Sequence, residues 1–467
     1  MTLRWVLLSA LLLPPTLPGG DWTRFRGPNA TGVAVGPVVN RPSLDRNLLW
    51  KTPLPTGHSS PVITGNQIYV TAVENERLYT LALGRETGEI LWRREAPRPR
   101  RSELHENNNA ASPTPTSDGE NVYVFFGDFG LLSYGPDGNE RWRVPLGPFV
   151  NIRGMGASPV VEDDKVFLVL DDDSGRSFLI AVDAQTGREL WRADRTEFGK
   201  GFSTPAVYRP KLGPAQLIVA GSFALLSYSI ETGEEVWRAG GLCWQAKAVP
   251  LIDDKRVYYN CQGAGTDAMA GQYPDFAGVL KRMDTNGNGA LDQDEFYEKR
   301  RDKFPEYDFS KDGVMDQREW NFFVQRMATR PGVFAVRLGG LGDVGDTHLE
   351  WVQARRMGNV PSPLLYQGVI YSVRDAGILT SIDAETGEIL KQDRLPQALG
   401  AYRASPVAAD GKLFFLDMDA TLTVVKAGGQ WEVLHSLALD DGGSATPAIA
   451  DGRLYVRTHQ NLYCFGE

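Results

Sequence analysis

The chain has 467 residues, with 49 Lys and Arg against 58 Asp and Glu, a net charge of −9, and a pI near 5.3. That balance excludes sequence-independent nucleic-acid binding, which needs a basic face. Three Cys (Cys243, Cys261 and Cys464) are too few for a disulfide framework, and a chain this long buries ample core without one.

In chain order, residues 1–20 carry Arg4, an apolar stretch Trp5–Leu13, then Pro and Gly. The pattern predicts a cleaved secretory signal peptide, because the apolar run is too short to span a bilayer. No later segment is apolar enough to cross a membrane, and no Cys precedes Cys243 to take a lipid. The expectation is an extracytoplasmic, periplasmic or secreted monomer with no transmembrane segment, entered through a lead-in at residues 21–46.

From residue 47 a repeat sets in. Small-residue–Pro steps occur at Ser60-Pro61, Ser112-Pro113, Ser158-Pro159, Thr204-Pro205, Val249-Pro250, Ser362-Pro363, Ser405-Pro406 and Thr446-Pro447. The Pro spacings are 52, 46, 46, 45, 113, 43 and 41, and a period of this size marks a propeller or solenoid. Each step opens a short apolar run; most continue through a turn such as Asp410-Gly411 into a second strand. Most units end in a Thr-Gly turn and a strand closing on Trp, as in TGEILW (87–92), TGRELW (186–191) and TGEEVW (232–237). Trp142, Trp351 and Trp431 are read in the same phase, with Lys391 replacing the aromatic in TGEILK. Trp50 precedes the first step, so Asn47–Leu54 is expected to close the ring against the last unit. Closure removes exposed sheet edges. The predicted fold is all-β: an eight-bladed propeller of four-stranded blades, closed by the N-terminal strand.

The 113-residue gap exceeds the preceding period by 68 residues. It places a guest segment, residues 264–331, inside blade five, with the propeller at 47–263 and 332–467. The guest holds two twelve-residue loops with EF-hand spacing. Loop one offers Asp284, Asn286, Asn288, the Ala290 carbonyl, Asp292 and Glu295. Loop two offers Asp308, Ser310, Asp312, the Val314 carbonyl, Asp316 and Glu319. A hard ion wants six to eight oxygens, Gly at position 6 permits the sharp turn, and Glu at 12 closes the shell. Two Ca²⁺ ions are therefore expected. Apolar Leu291 and Met315 at position 8 predict a short strand contact between the loops. Phe276, Val279, Leu280 and Met283 before loop one, and Trp320, Phe323, Val324 and Met327 after loop two, fall at helical spacing.

The repeats, AVDAQTGRELW at 181–191 above all, resemble the tryptophan-docking repeat of pyrroloquinoline-quinone-type propellers. Phe25-Arg26-Gly27-Pro28-Asn29 resembles the lead-in of secreted bacterial proteins of this kind. The family includes quinone-dependent dehydrogenases, and the resemblance implies for these an adjacent Cys pair, a Trp beneath the cofactor and acidic ligands for an active-site Ca²⁺. No two Cys here are adjacent and no acidic set maps across, so pyrroloquinoline quinone is not expected. A quinone-dependent oxidoreductase acting on alcohols or sugars stands as the alternative reading. The resemblance also extends to the propeller lipoprotein of outer-membrane protein assembly, although the lipid-bearing Cys is missing. The five His lack metal-binding spacing, and neither a G-x-S-x-G elbow nor a P-loop is present. No catalytic residues are assigned.

If each Pro starts an innermost strand, the residues before it ring one mouth of the channel. Those are His58, Asn107, Asn109, Arg153, Lys200, Gln245, Lys247, Asn359, Arg403 and Ser444, a polar-to-basic set in an acidic protein. They predict a face for an anionic or carbohydrate-like ligand, or for an acidic protein segment. The insertion leaves after Arg256–Cys261 and returns at Gly332–Leu338, a second-to-third-strand position. The same face should therefore carry it. Cys243 and Cys261 flank one predicted hairpin, which leaves a bridge between them open.

Overall fold

The computed structural model describes residues 20–151, 153–262, 271–329 and 331–467. The predicted signal segment, apart from Gly20, and residues 264–270 and 330 of the insertion lie outside these. Eight antiparallel four-stranded blades form the molecule. Blade 1 runs outward as Val62–Thr64, Gln67–Glu74, Arg77–Gly84 and Ile90–Ala96. Its inner strand is wholly buried, whereas its outer strand is buried only at Trp92 and Ala96, as an edge facing water should be. Tight hairpins join the inner strands; at Asp410-Gly411 both residues take positive φ (51° and 71°), the combination a type I′ turn demands.

The ring closes as the repeat arithmetic requires. Leu48–Pro53 pairs antiparallel with Asn461–Phe465 as the outer strand of blade 8. The insertion lies between Arg256–Cys261 and Gly332–Arg337, the second and third strands of blade 5. The return from that third strand sends Gly342–Asp343 alongside Glu235–Ala239, adding a fifth, parallel strand to blade 4.

Blades lock through their outer strands. Trp50, Trp92, Trp142 and Trp191 each donate Nε1–H to a carbonyl of the next blade, at Arg85, Pro136, Ala184 and Ile230. Each ring lies against the turn glycine of that blade, so closely that a Cβ at Gly233 would stand 2.4 Å from Trp191. Each of these Trp directly follows a register shift in its strand pairing. By that register the docking residue of blade 7 is His435, opposite Val424, and not Trp431. His435 Nε2 meets the Pro42 carbonyl at 2.8 Å, as the Trp nitrogens meet theirs. Trp431 sits four residues earlier, where blades 1–4 and 6 have their glycine. Facing it, Lys391 of blade 6 donates Nζ to the Trp431 carbonyl (2.8 Å) and lies 4.1 Å from its ring centroid. The large and small partners have exchanged sides at that one interface.

The repeat reading also shifts by two residues in blade 2. Its inner strand is Thr116–Ser117, so the step is Thr114-Pro115 and not Ser112-Pro113.

The inserted segment folds about its own core of Val279, Leu291, Phe296, Phe304, Tyr307, Met315, Trp320, Phe323 and Met327. Helix α1 (Phe276–Met283) is N-capped by Asp275, helix α2 (Phe304–Tyr307) starts with Pro305 in its first turn, and helix α3 (Gln317–Ala328) carries an Asp316–Glu319 capping box. Each cap satisfies a backbone donor that the helix leaves free. Leu291 pairs with Met315 in a two-residue antiparallel ladder joining the two loops.

Candidate binding cup at the channel mouth

Where the inner strands begin, the backbone is held by side chains of the neighbouring blade. Ser60 N–H donates to Thr114 Oγ1, Thr114 to Ser158, Ser158 to Thr204, Val249 to Ser362, Ser362 to Ser405, Ser405 to Thr446, and Thr446 back to Ser60, all at 2.9–3.0 Å. This belt runs round the channel and is open only between Thr204 and Val249, since Val249 has no hydroxyl. The recurrent Ser or Thr before Pro is thus a hydrogen-bonding position as well as a small one. Each of the seven hydroxyls accepts a bond from a backbone N–H and donates none among the described residues, leaving seven O–H donors.

These hydroxyls line a cavity of about 340 Å³ on the axis. Above the belt stand His58, Asn107, Arg153, Gln245, Lys247, Asn359, Arg403 and Ser444, all foreseen in sequence, together with His105, Asn108 and Phe202. Two foreseen residues lie elsewhere. Asn109 turns its Oδ1 to the Ala111 N–H, closing its own loop. Lys200 is buried, its Nζ 3.6 Å from Asp173 and 5.0 Å from the Phe309 ring centroid. An acidic partner from a different loop, invisible in local sequence, takes it away from the mouth.

Among the described residues no Asp or Glu lines the cavity, although the protein is acidic. Three cations converge. Arg153 has a buried Nε without a partner among the described residues, Lys247 donates to Asn359 Oδ1 at 2.9 Å, and Arg403 meets Asp375 at 3.2 Å. Burial, with the charges of Arg153 and Arg403, pushes the Lys247 amine down to about 8. Burial, with His459 and Arg457, pushes His58 down to about 4, so His58 is neutral at pH 7. The bridge Cys243–Cys261 ties the loop carrying Gln245 and Lys247 to the strand that leads into the insertion.

The far end of the channel is stopped by the lead-in. Trp22 pairs with Ile63, Thr23 accepts from Ser117 N–H, Asn29 exchanges two bonds with Val207, and Ala34 donates to Ala408. Arg26 is fully buried and donates to the Pro363 carbonyl at 2.7 Å; burial without a carboxylate lowers it to about 9. Gly27 takes φ 67°, with space for a Cβ denied by the Trp22 ring at 2.5 Å. This path brings Phe25 into the lining of the cavity, so the channel is a blind cup. Nothing periodic in residues 21–46 signals this role.

The insertion packs on the same face, beside the cup. Phe322 contacts Phe223 and Trp244, Arg318 donates to the Asp173 carbonyl, Lys311 pairs with Glu103, and Arg326 lies 3.6 Å from the Trp244 ring centroid. None of its described residues lines the cavity.

Its two loops differ in setting. In loop two, Asp308, Asp312 and Glu319 bring carboxylate oxygens within 4.8 Å of one another; Asp308 and Glu319 are buried. Burial raises Glu319, while the Ser310 and Asp316 N–H groups oppose that shift. In loop one, Asn286 and Asn288 donate to Asp292, and Glu295 accepts from Thr285, Asn286 and Asp292. Those bonds, the Thr285 hydroxyl first, hold exposed Glu295 down at about 2.

The described lining of the cup supplies no carboxylate for the active-site Ca²⁺ of a quinone enzyme, and the Cys243–Cys261 bridge joins residues 18 apart. No described helix is long and apolar enough to cross a membrane.

Known proteins share this architecture. The family model described as outer membrane protein assembly factor BamB matches residues 44–167, 80–240, 176–270 and 343–467. A polyvinylalcohol dehydrogenase of Pseudomonas sp. is 23% identical over 211 residues, covering 42% of this chain and 27% of that protein; the match spans about a quarter of that relative's length. BamB from Moraxella catarrhalis superposes with TM-score 0.55 at 12% identity, covering 90% of this chain and 98% of that one. Quinohemoprotein alcohol dehydrogenase from Comamonas testosteroni superposes with TM-score 0.58 at 11% identity, covering 96% and 81%. A europium-containing methanol dehydrogenase gives 0.61 at 12%, covering 96% and 98%. At such identities the structures speak for the fold alone, while the family-model match covers most of the chain. The chain therefore belongs to the BamB-type family of pyrroloquinoline-quinone-like repeat propellers.

Proposed function

We propose that this protein is an extracytoplasmic, non-catalytic binding platform. Its cup takes an anionic or carbohydrate-like ligand, or an acidic segment of a partner protein, and its inserted module holds Ca²⁺ as a structural element. The observation that carries the reading is a cavity rich in donors and cations with no carboxylate among its described lining residues, in a chain of net charge −9. Arginine forks and a compact ammonium recognise carboxylate and phosphate oxygens through charge-assisted bonds. That no acidic ligand set stands among the described residues lining the cup supports binding over quinone-dependent oxidation.

Calcium is supported by the oxygen spacing of both loops and by the converging carboxylates of loop two. Outside the cytoplasm, sites with Kd on the order of 10⁻⁴–10⁻³ M stay filled, which suits a structural role. The test is a screen of acidic ligands by thermal shift on the wild type and on the combined Arg153→Ala, Lys247→Met, Arg403→Ala variant. Ligands that stabilise the wild type should leave the variant unmoved; equal shifts in both would remove the cup from the account. Reduction of a dye by the wild type with an alcohol or sugar and added quinone would favour the oxidoreductase reading.

A further inference from the structure

Three features of the cup restrict what it takes, given the reading above on which this step rests. The first is donor excess. Among the described residues, seven belt hydroxyls accept a backbone bond and donate none, and a buried Arg153 Nε lacks a partner. A ligand must answer with many oxygen acceptors, because buried unmet donors are costly. The second is the pair of aromatic faces, Phe25 and Phe202, in the same lining. A sugar ring presents C–H groups to such a face and hydroxyls at its edge, whereas inorganic phosphate or sulfate presents no apolar surface. The third is the stopped floor: with the lead-in across the channel, a polymer cannot thread through and only an end can enter.

We infer that the cup receives the terminal uronic acid residue of an acidic polysaccharide. Its carboxylate is held among Arg153, Lys247 and Arg403, its hydroxyls meet the Ser/Thr belt and the Asn and Gln amides, and its ring lies against Phe25 or Phe202. The volume of about 340 Å³ is at the small end of ligand pockets, in keeping with one or two sugar residues and not a longer stretch.

The experiment is calorimetric titration of the Ca²⁺-loaded full-length mature protein with trigalacturonate, with maltotriose of the same length but no charge, and with sulfate. Trigalacturonate should bind, maltotriose should not, and sulfate should fail to displace trigalacturonate at equal concentration. Arg153→Ala and Arg403→Ala should each weaken binding about tenfold or more, the value of one charge-assisted contact. Phe25→Leu should weaken it without changing its salt dependence; unchanged melting curves establish that the variants fold. Equal binding of maltotriose, or full displacement by sulfate, would overturn the uronate assignment. Displacement by sulfate would leave the anion-binding reading standing. If trigalacturonate and sulfate both give no heat while other acidic ligands pass the thermal-shift screen, this inference alone falls. No binding by any acidic ligand removes both.

Discussion

Replacing Gly233 by Ala tests the inter-blade lock at one atom. Gly233 sits at φ 75° in the blade 4 turn, and an added Cβ would lie 2.4 Å from Cε3 and 2.8 Å from Cδ2 of Trp191. Two costs combine: about 1–2 kcal/mol for an L-residue in the left-handed region, and a further ~1–3 kcal/mol for overpacking as the indole is displaced. The displaced ring also strains its 3.1 Å bond to the Ile230 carbonyl. Gly368, in the blade 6 inner turn, has the same φ of 75° and nothing within 4 Å of a Cβ, so Gly368→Ala carries the backbone cost alone. Denaturant unfolding should give a lower midpoint for both variants with unchanged slope, and Gly233→Ala should be the less stable by about 1–3 kcal/mol. Equal destabilisation would show that the tryptophan does not depend on the bare glycine, and the docking argument would fail.

Four other outcomes follow from the same structure. A double-mutant cycle of Lys391→Met and Trp431→Ala should show coupling of about 0.5–2 kcal/mol; additive losses would mean that the exchanged pair does not interact. Ligand affinity for the cup should fall as pH rises through about 8, where Lys247 loses its proton, with the midpoint moved upward by the bound anion. In Lys247→Met, binding measured across that range should be flat. Glu295→Gln and Glu319→Gln should each weaken one Ca²⁺ site about tenfold or more by removing a bidentate charge. Only Glu319→Gln should also loosen the rim, because Arg318 of its helix holds the Asp173 carbonyl of blade 3 and Phe309 of that loop lies against Lys200 in the connection to blade 4; hydrogen exchange at residues 171–177 reads this. Reducing Cys243–Cys261, or Cys243→Ser, should cost about 3 kcal/mol for a loop of this length, seen as a lower denaturant midpoint.

Blade number, ring closure and the site of the insertion were legible because they depend on spacing. Small-residue–Pro steps mark inner strands, and a single gap betrays a guest. The mouth residues could be named for the same reason, since topology fixes which loops meet at the axis. What spacing does not carry was missed. Ser112-Pro113-Thr114-Pro115 offers two candidate steps, and only the folded strand at Thr116–Ser117 and the belt bond from Ser60 to Thr114 select one. Trp431 invites reading as a docking residue by composition, whereas its register assigns it to the turn. Lys200 and Phe25 were misjudged or unseen because their neighbours, Asp173 and the inner strands of distant blades, are far off in sequence. The belt itself was written in the recurrent Ser and Thr, and was read only as a need for small residues.

The central claim, an anion-receiving cup at the channel mouth, is tested most directly by anomalous diffraction from crystals soaked in bromide. A bromide peak within contact distance of Arg153, Lys247 and Arg403, lost in the combined Arg153→Ala, Lys247→Met, Arg403→Ala variant, is the predicted result. Bromide peaks scattered over the surface with the cup empty would contradict it.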